Sequence, residues 1–227
     1  IRSTRRFGDL DTHDSLARLR HPEYHEIIPV KATQIDGRKL VYGQEWHSDM
    51  SHTLNPAKGS LLRSEVIPPA GGDTMFGNMY LAYETLSETM KRMIDDLWAV
   101  HDLRVGKHNR GQDMTAIRKR TPPLAHPLVR VHPETGRKSL FVSEMETEEI
   151  IGMTRDEAAP LLKFLFAHAS RPEFVYRHKW AQNDLLMRDN RCTIHVALQD
   201  YGGSPRSMYR PTLLGVASGL VAEPGEA

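Results

Sequence analysis

The sharpest chemical signal in this sequence is Trp46-His47-Ser48-Asp49. Residues i and i+2 of a strand project from one face, so an imidazole and a carboxylate at this spacing can grip one metal ion. The pattern is weak by itself. His followed two residues later by Asp or Glu occurs at His21 and Glu23, at His47 and Asp49, and at His132 and Glu134, and 12 histidines among 29 acidic residues supply about one or two such pairs by chance. Pro separates the partners in the other two copies, which favours a turn over a strand interior. His47 and Asp49 therefore stand as candidate ligands beside the alternative of a solvated surface pair. A second metal reading is a zinc hydrolase, because His21 and His25 have the i, i+4 spacing of a zincin helix. Pro22 lies inside that helix, however, and Glu23 is misplaced relative to His-Glu-x-x-His.

Far along the chain, Asp189-Asn190-Arg191-Cys192-Thr193-Ile194-His195 is followed by Arg206, eleven residues after His195, and then by Arg210. Together the two segments resemble the taurine and 2,4-dichlorophenoxyacetate dioxygenase family, whose pattern is His-x-Asp, a distant His after Asp-Asn-Arg, and an Arg about eleven residues later. Further matches are Pro69-Ala70-Gly71-Gly72-Asp73-Thr74, Ala82-Tyr83-Glu84-Thr85-Leu86-Ser87 and the run from His126 to Arg137, so the resemblance covers nearly the whole chain in order. It implies a double-stranded β-helix in which His47, Asp49 and His195 form the facial triad of a non-haem iron enzyme. The implied cofactor is Fe(II), with 2-oxoglutarate and O2 as cosubstrates and succinate and CO2 as products. The donor types fit independently, since imidazole and carboxylate suit Fe(II) and three protein ligands leave open positions.

The far carboxylate of 2-oxoglutarate needs a fixed partner, and a guanidinium fork can bind both its oxygens. Arg206 matches that family position, and Thr74 matches the hydroxyl that helps hold the same carboxylate. Arg210, four residues on, is expected on the same strand face; in the taurine-oxidising relatives it holds the sulfonate. His13, preceded by Phe7-Gly8-Asp9-Leu10, matches a substrate-contacting histidine. The tyrosine and amide that face taurine's amine are replaced by Leu16 and Gly43. The implied substrate is thus a small anion of the aryloxyalkanoate, alkyl sulfonate or alkyl sulfate type, hydroxylated without need of an ammonium group. Two other departures, Arg188 where relatives often have Trp and Ser143 where Asn is common, are expected to lie outside the triad. Relatives also carry several dozen residues before Arg5-Arg6-Phe7-Gly8, so a single domain over 1–227 without that N-terminal segment is expected.

The elements that must position these groups follow from periodicity. After Ser87, a good N-cap, Met90, Met93, Ile94 and Leu97 recur at helical spacing. A second helix is expected over Ala158 to Ala169, with Ala158, Leu161, Leu162 and Leu165 as its apolar face. Thr154-Arg155-Asp156-Glu157 makes a capping box ahead of it, and Pro160 complicates its first turn. Alternation from Phe174 to Trp180 reads as a strand, and three more are expected at Leu185 to Met187, Cys192 to Leu198 and Ser207 to Leu214. Short strands with polar turns, interrupted by a few helices, indicate a mostly β fold with flanking helices, either a β-sandwich or a jelly roll, and the resemblance implies the jelly roll.

Composition sets the outer bounds. Thirty basic against 29 acidic residues leave a net charge of +1, which disfavours general nucleic-acid binding. The one cysteine, Cys192, cannot form an internal disulfide or an iron-sulfur site, which fits a cytoplasmic enzyme. No apolar run approaches the roughly 18 residues needed to span a bilayer. A homo-oligomer is compatible with the sequence. The basic stretch from Arg104 to Thr121 reads either as an anion-steering lid or as a solvated loop. Outside enzymology, the rival is a cupin-like metal-binding or sensor protein without turnover, against which the retention of both Arg206 and Thr74 argues.

Overall fold

The computed structural model describes residues 1–13, 17, 19–31, 33–35, 38–40, 43–103 and 115–221. Two antiparallel sheets build the walls of the site. The first has the spatial order Ile27–Lys31, Ser207–Leu213, Gly59–Val66, Leu185–Asp189. The second places Thr74–Asn78 between Val175–His178 and Thr193–Ala197. The chain passes four times between these sheets: through the Pro-Gly turn between Val66 and Thr74, between His178 and Leu185, through the tight turn between Asp189 and Thr193, and between Ala197 and Ser207. Residues from both sheets line one cavity between them, including Leu62, Arg188 and Arg210 from the first and Thr74, His195 and Ala197 from the second. This is the jelly-roll core, with helices packed outside it.

A third sheet, ordered Thr147–Ile150, Trp98–His101, Leu124–Pro127, Leu220–Val221, flanks the core. Apolar side chains gather beside the cavity rather than in it: Met79, Ile94, Leu128, Leu140, Ile150 and Leu165 are each almost fully buried. The helix Arg155–Ala169 contributes Ala158, Leu162, Leu165 and Ala169 to this cluster, while Leu161 is only partly buried. It begins five residues ahead of Pro160 because Glu157 accepts hydrogen bonds from the Thr154 backbone N–H at 2.9 Å and from its hydroxyl at 2.8 Å. In the helix Glu88–Ile94, Ser87 accepts from the Met90 N–H as an N-cap should. Met93, assigned by periodicity to its apolar face, is exposed, and Leu97 lies beyond its end.

The four strands read from alternation are present with small shifts: Val175–His178, Leu185–Asp189, Thr193–Ala197 and Ser207–Leu213. Phe174 ends a short 3-10 turn started by Pro172 instead of opening the first of them. Among the described residues no helix is long and apolar enough to cross a membrane.

Candidate metal centre and its cavity

His47 and His195 meet through an isolated antiparallel bridge. The His47 N–H donates to the His195 carbonyl at 3.0 Å, and the His195 N–H returns a bond to the His47 carbonyl at 2.8 Å. The sequence reading placed His47 and Asp49 inside a strand; only the bridge at His47 is strand-like, and Met50, at φ +60°, turns the chain straight after Asp49. The outcome for the side chains is the expected one. The ring centroids of His47 and His195 are 4.0 Å apart, and their Nε2 atoms lie 3.9 and 4.0 Å from Asp49 Oδ1. One ligand atom from each residue lies within 4.8 Å of the others, close enough for one ion bonded at about 2.0–2.2 Å to reach all three.

Their protonation states suit ligation. His47 Nδ1 sits 2.8 Å from the Glu45 carbonyl, which can only accept, so the ring proton belongs on Nδ1 and Nε2 keeps its lone pair. Burial holds His47 below the ordinary imidazole range and, with the charges of Arg188 and His47 added, holds His195 well below it. Burial pushes Asp49 the other way, but Arg188 and Arg210 outweigh it and keep the carboxyl well below its usual range. Two neutral imidazoles and one carboxylate are therefore presented at neutral pH.

Asp49 is held on both oxygens. Arg210 donates to Oδ1 at 2.7 Å, while Oδ2 accepts from Ser60 Oγ at 2.6 Å and from an Arg188 terminal nitrogen. This corrects the expectation that Arg188 stands apart from the triad. A guanidinium is long enough to reach the carboxylate from the strand before Asp189, and the companion bond from Arg188 Nε to Asn190 Oδ1 at 3.1 Å fixes its direction. Ser143, the other departure, is buried in the Ser143–Thr147 turn and does not contact the three candidate ligands through any described hydrogen bond.

His47, Asp49, His195, Arg188 and Arg210 line a cavity of about 360 Å³, and so do Thr74 and Arg206. Arg206 is buried, and its Nε donates to the Gly72 carbonyl at 2.9 Å, leaving the terminal nitrogens of the fork to face a ligand. Gly72 has φ +74°, and a Cβ there would come within 3.1 Å of Arg206 Cδ, so both its conformation and its lack of a side chain are needed. Thr74 Oγ1 accepts from Trp180 Nε1 at 2.9 Å, which leaves its own proton for an acceptor in the cavity.

Arg206 and Arg210 both line the cavity, although Arg206 precedes the strand that carries Arg210. His13 is fully buried with φ +56°, and its Nδ1 is 3.6 Å from Asp11 Oδ2. It is not among the lining residues; burial and the neighbouring charge of Arg210 both lower its basicity. Gly43 lies against the metal-facing histidine: at φ +78°, a Cβ there would be 3.2 Å from His47 Cε1. Leu16 and residues 104–114 of the basic stretch lie outside the described residues. At its far end, Arg118 Nε donates to Asp102 Oδ2 at 3.1 Å.

The other His-x-Glu motifs have a different use. His21 Nδ1 accepts from the backbone N–H groups of Glu23 and Tyr24, and His132 Nδ1 accepts from those of Glu134 and Thr135, each at 3.2 Å. Both imidazoles cap turns. Residues 21–25 form no helix, so the zincin reading of His21 and His25 fails, as Pro22 requires. His132, Asp189 and Cys192 also cluster, but with Nδ1 accepting, His132 Nε2 carries the proton that faces Asp189 at 3.1 Å. Burial pushes the Cys192 thiol up to about 11, so this second cluster lacks two of the lone pairs a metal would need.

Sequence spacing gave no sign of a polar chain behind the cavity. His52 Nδ1 lies 2.9 Å from Glu146 Oε1, Ser51 Oγ donates to Glu146 Oε2, and His101 Nδ1 lies 2.9 Å from Ser51 Oγ. These residues are far apart in the chain, and only the adjacency of Ser51 and His52 to Asp49 could have drawn attention to them.

Comparison with known proteins agrees with this geometry. Residues 1–212 match the family described as taurine catabolism dioxygenase TauD, TfdA family. An alpha-ketoglutarate-dependent 2,4-dichlorophenoxyacetate dioxygenase of a Burkholderia strain is 35% identical over 95% of this chain and 77% of its own length. An alpha-ketoglutarate-dependent sulfate ester dioxygenase of Pseudomonas putida is 33% identical over 87% of this chain and 70% of its own. Among solved structures, a taurine dioxygenase from Burkholderia xenovorans superposes with a TM-score of 0.79 at 33% identity, covering 97% of this chain and 76% of that one. AAD-2, solved in complex with Mn(II) and N-oxalylglycine, gives the same TM-score and identity over 96% of this chain and 78% of that one.

Proposed function

Because this chain belongs to the TauD/TfdA family of 2-oxoglutarate-dependent dioxygenases, which work with Fe(II) and O2, we propose that His47, Asp49 and His195 hold its iron. On this reading Arg206 and Thr74 hold 2-oxoglutarate, and Arg210, backed by His13, receives the acid group of a small anionic substrate. The observation that carries the proposal is the meeting of three ligand-ready atoms in a cavity that Arg206, Thr74 and Arg210 also line.

Iron and the keto acid, when bound, supply from O2 an oxidant able to hydroxylate a C–H bond, with succinate and CO2 released. The chain's own groups do the rest. The Glu45 carbonyl orients His47, while Arg188 and Ser60 hold Asp49 Oδ2 and so fix which oxygen faces the imidazoles. Arg206, fixed by Gly72, presents a planar fork to the far carboxylate, and Thr74 adds one hydroxyl donor. Arg210 Nε has no partner among the described residues, so it retains donor capacity for a substrate oxyanion. The substrate classes favoured are aryloxyalkanoates and alkyl sulfates or sulfonates. The relatives named for 2,4-dichlorophenoxyacetate and for sulfate esters support that choice, and Gly43 offers no side chain to an amine.

Anaerobic titration with Fe(II) and then 2-oxoglutarate tests the metal and cosubstrate assignments. Chelation by the keto acid is expected to give a weak visible charge-transfer band in the wild type and none in His47→Ala or His195→Ala. An unchanged band in either variant would remove that residue from the iron site. For the substrate, succinate formation is compared for matched compounds with and without the anionic group in wild type and Arg210→Ala. Equal turnover of neutral analogues, unaffected by Arg210→Ala, would refute the anionic-substrate reading and leave the iron assignment standing.

A further inference from the structure

Beside the proposed ligands, the cavity wall contains an imidazole that the proposed chemistry does not use. His52 lies three residues beyond Asp49, is 4% exposed, and lines the cavity together with Met145 and Glu146. Its Nδ1 is 2.9 Å from Glu146 Oε1, while Nε2 has no hydrogen-bond partner among the described residues.

The protons in this cluster can be placed. Burial alone would raise the Glu146 carboxyl, but His52 and the Ser51 hydroxyl outweigh it and hold it at about 2, so Glu146 is an ionised acceptor. Its Oε2 receives the one hydroxyl proton of Ser51. Ser51 Oγ can then only accept from His101 Nδ1, 2.9 Å away. Facing a carboxylate, His52 Nδ1 must be the donor. In the singly protonated ring this places the proton on Nδ1 and a lone pair on Nε2. His101 and Ser51 thus donate toward Glu146 from one side and His52 donates to it from the other, so the two arms meet at the carboxylate and His52 Nε2 is left without a partner among the described residues.

A buried acceptor without a partner is costly, and an apolar side chain would fill the wall without that cost. Tying Ser51 to the strand Trp98–His101 accounts for Ser51 and Glu146 but needs no imidazole at the cavity. We propose that His52 is a substrate-recognition residue whose Nε2 accepts a hydrogen bond from an O–H or N–H group of the substrate, with Glu146 and Ser51 as its positioning residues. The inference rests on the anionic-substrate reading and narrows it: the substrate is an acid that also carries a hydroxyl or amide donor, the acid at Arg210 and the donor at His52. The donor is neutral, because Arg188, Arg206 and Arg210 line the same cavity and disfavour a further positive charge.

Calorimetric binding to the protein loaded with Mn(II) and N-oxalylglycine tests this without turnover. The probes are phenoxyacetate and its three ring-monohydroxylated isomers, and the readout is the ratio of dissociation constants between parent and hydroxylated acid. In the wild type at least one isomer is expected to bind about tenfold more tightly than phenoxyacetate, the scale of one buried hydrogen bond relieved of its orphan partner. His52→Phe should bring that ratio to about one, His52→Gln should restore part of it through its amide oxygen, and Glu146→Gln should weaken it by loosening the ring. Ratios near one in the wild type, or a preference that survives His52→Phe, would overturn the role of His52 while acid binding stands. Failure of phenoxyacetate and all three isomers to bind the loaded wild type would overturn the anionic-substrate reading and this inference with it.

Discussion

Arg188 donates to Asp49 Oδ2, the oxygen opposite the one that lies about 4 Å from both imidazoles. Both side chains are 3% exposed, so the contact is a buried ion pair whose partners cannot be rescued by water. Burial on its own would favour a protonated Asp49, and Arg188 is the largest influence opposing it. Removing Arg188 therefore raises the Asp49 pKa, and Mn(II) binding should fail at a higher pH in Arg188→Leu than in wild type. Mn(II) titrations followed by electron paramagnetic resonance across about pH 5 to 8 measure the shift. Coincident acid limbs would show that Arg210 and Ser60 suffice.

Gly43→Ala should weaken metal binding although Gly43 touches no metal. The new methyl would lie 3.2 Å from His47 Cε1, in a backbone conformation at φ +78° that alanine adopts poorly. Misorienting a ligand typically costs about 10–100-fold in metal affinity. Mn(II) affinity of the variant should fall within that range, with the far-ultraviolet circular dichroism of the sheet unchanged.

Arg206→Ala should act on the cosubstrate first. Losing a desolvated charge partner costs about 2–5 kcal/mol of binding. The 2-oxoglutarate concentration for half-maximal succinate formation should therefore rise by at least an order of magnitude. An unchanged requirement would assign that carboxylate to another residue.

Acid sensitivity should begin near neutrality. Burial and the charge of His126 lower His101 to about 3, and burial and the charge of Arg130 lower His126 to about 4, from an ordinary value of 6.5. Between 6.5 and those values the unfolded chain binds protons that the folded chain does not. Stability is complete above 6.5 and falls as pH decreases, reaching its full loss for each group only below its folded value. At pH 5.5 each histidine should cost about 1.4 kcal/mol relative to high pH. Urea unfolding at pH 7.5 and 5.5 should show the drop, and His126→Gln should reduce it by its own share of about 1.4 kcal/mol.

The cluster of His47, Asp49 and His195 was legible in the sequence because the motif keeps fixed distances along the chain: His47 to Asp49, Asp189 to His195, His195 to Arg206. The strands bearing Arg188, His195 and Arg210 were legible from alternation alone. The strand expected at His47 was not found, because backbone pairing there depends on His195, and local pattern does not report a single long-range bridge. The exposed Met93 shows the same limit in a helix, where spacing names a face without saying whether anything covers it. Arg188 was noticed only as a departure, since its contact with Asp49 joins residues 139 apart in the chain. Nothing local marks Glu146, whose partners Ser51 and His52 are reached only through the fold.

The bridge between His47 and His195 also bears on how the molecule acquires its activity. Its two backbone hydrogen bonds join residues separated by most of the chain, and closing so large a loop is entropically costly until the intervening strands are in place. The ligand set therefore comes together late in folding, and a nascent or partly unfolded chain offers at most His47 and Asp49 to a metal. Iron held by this set stabilises the native fold selectively, by an amount that rises with the logarithm of its free concentration above Kd, so depletion of iron lowers the stability of the fold as well as its activity.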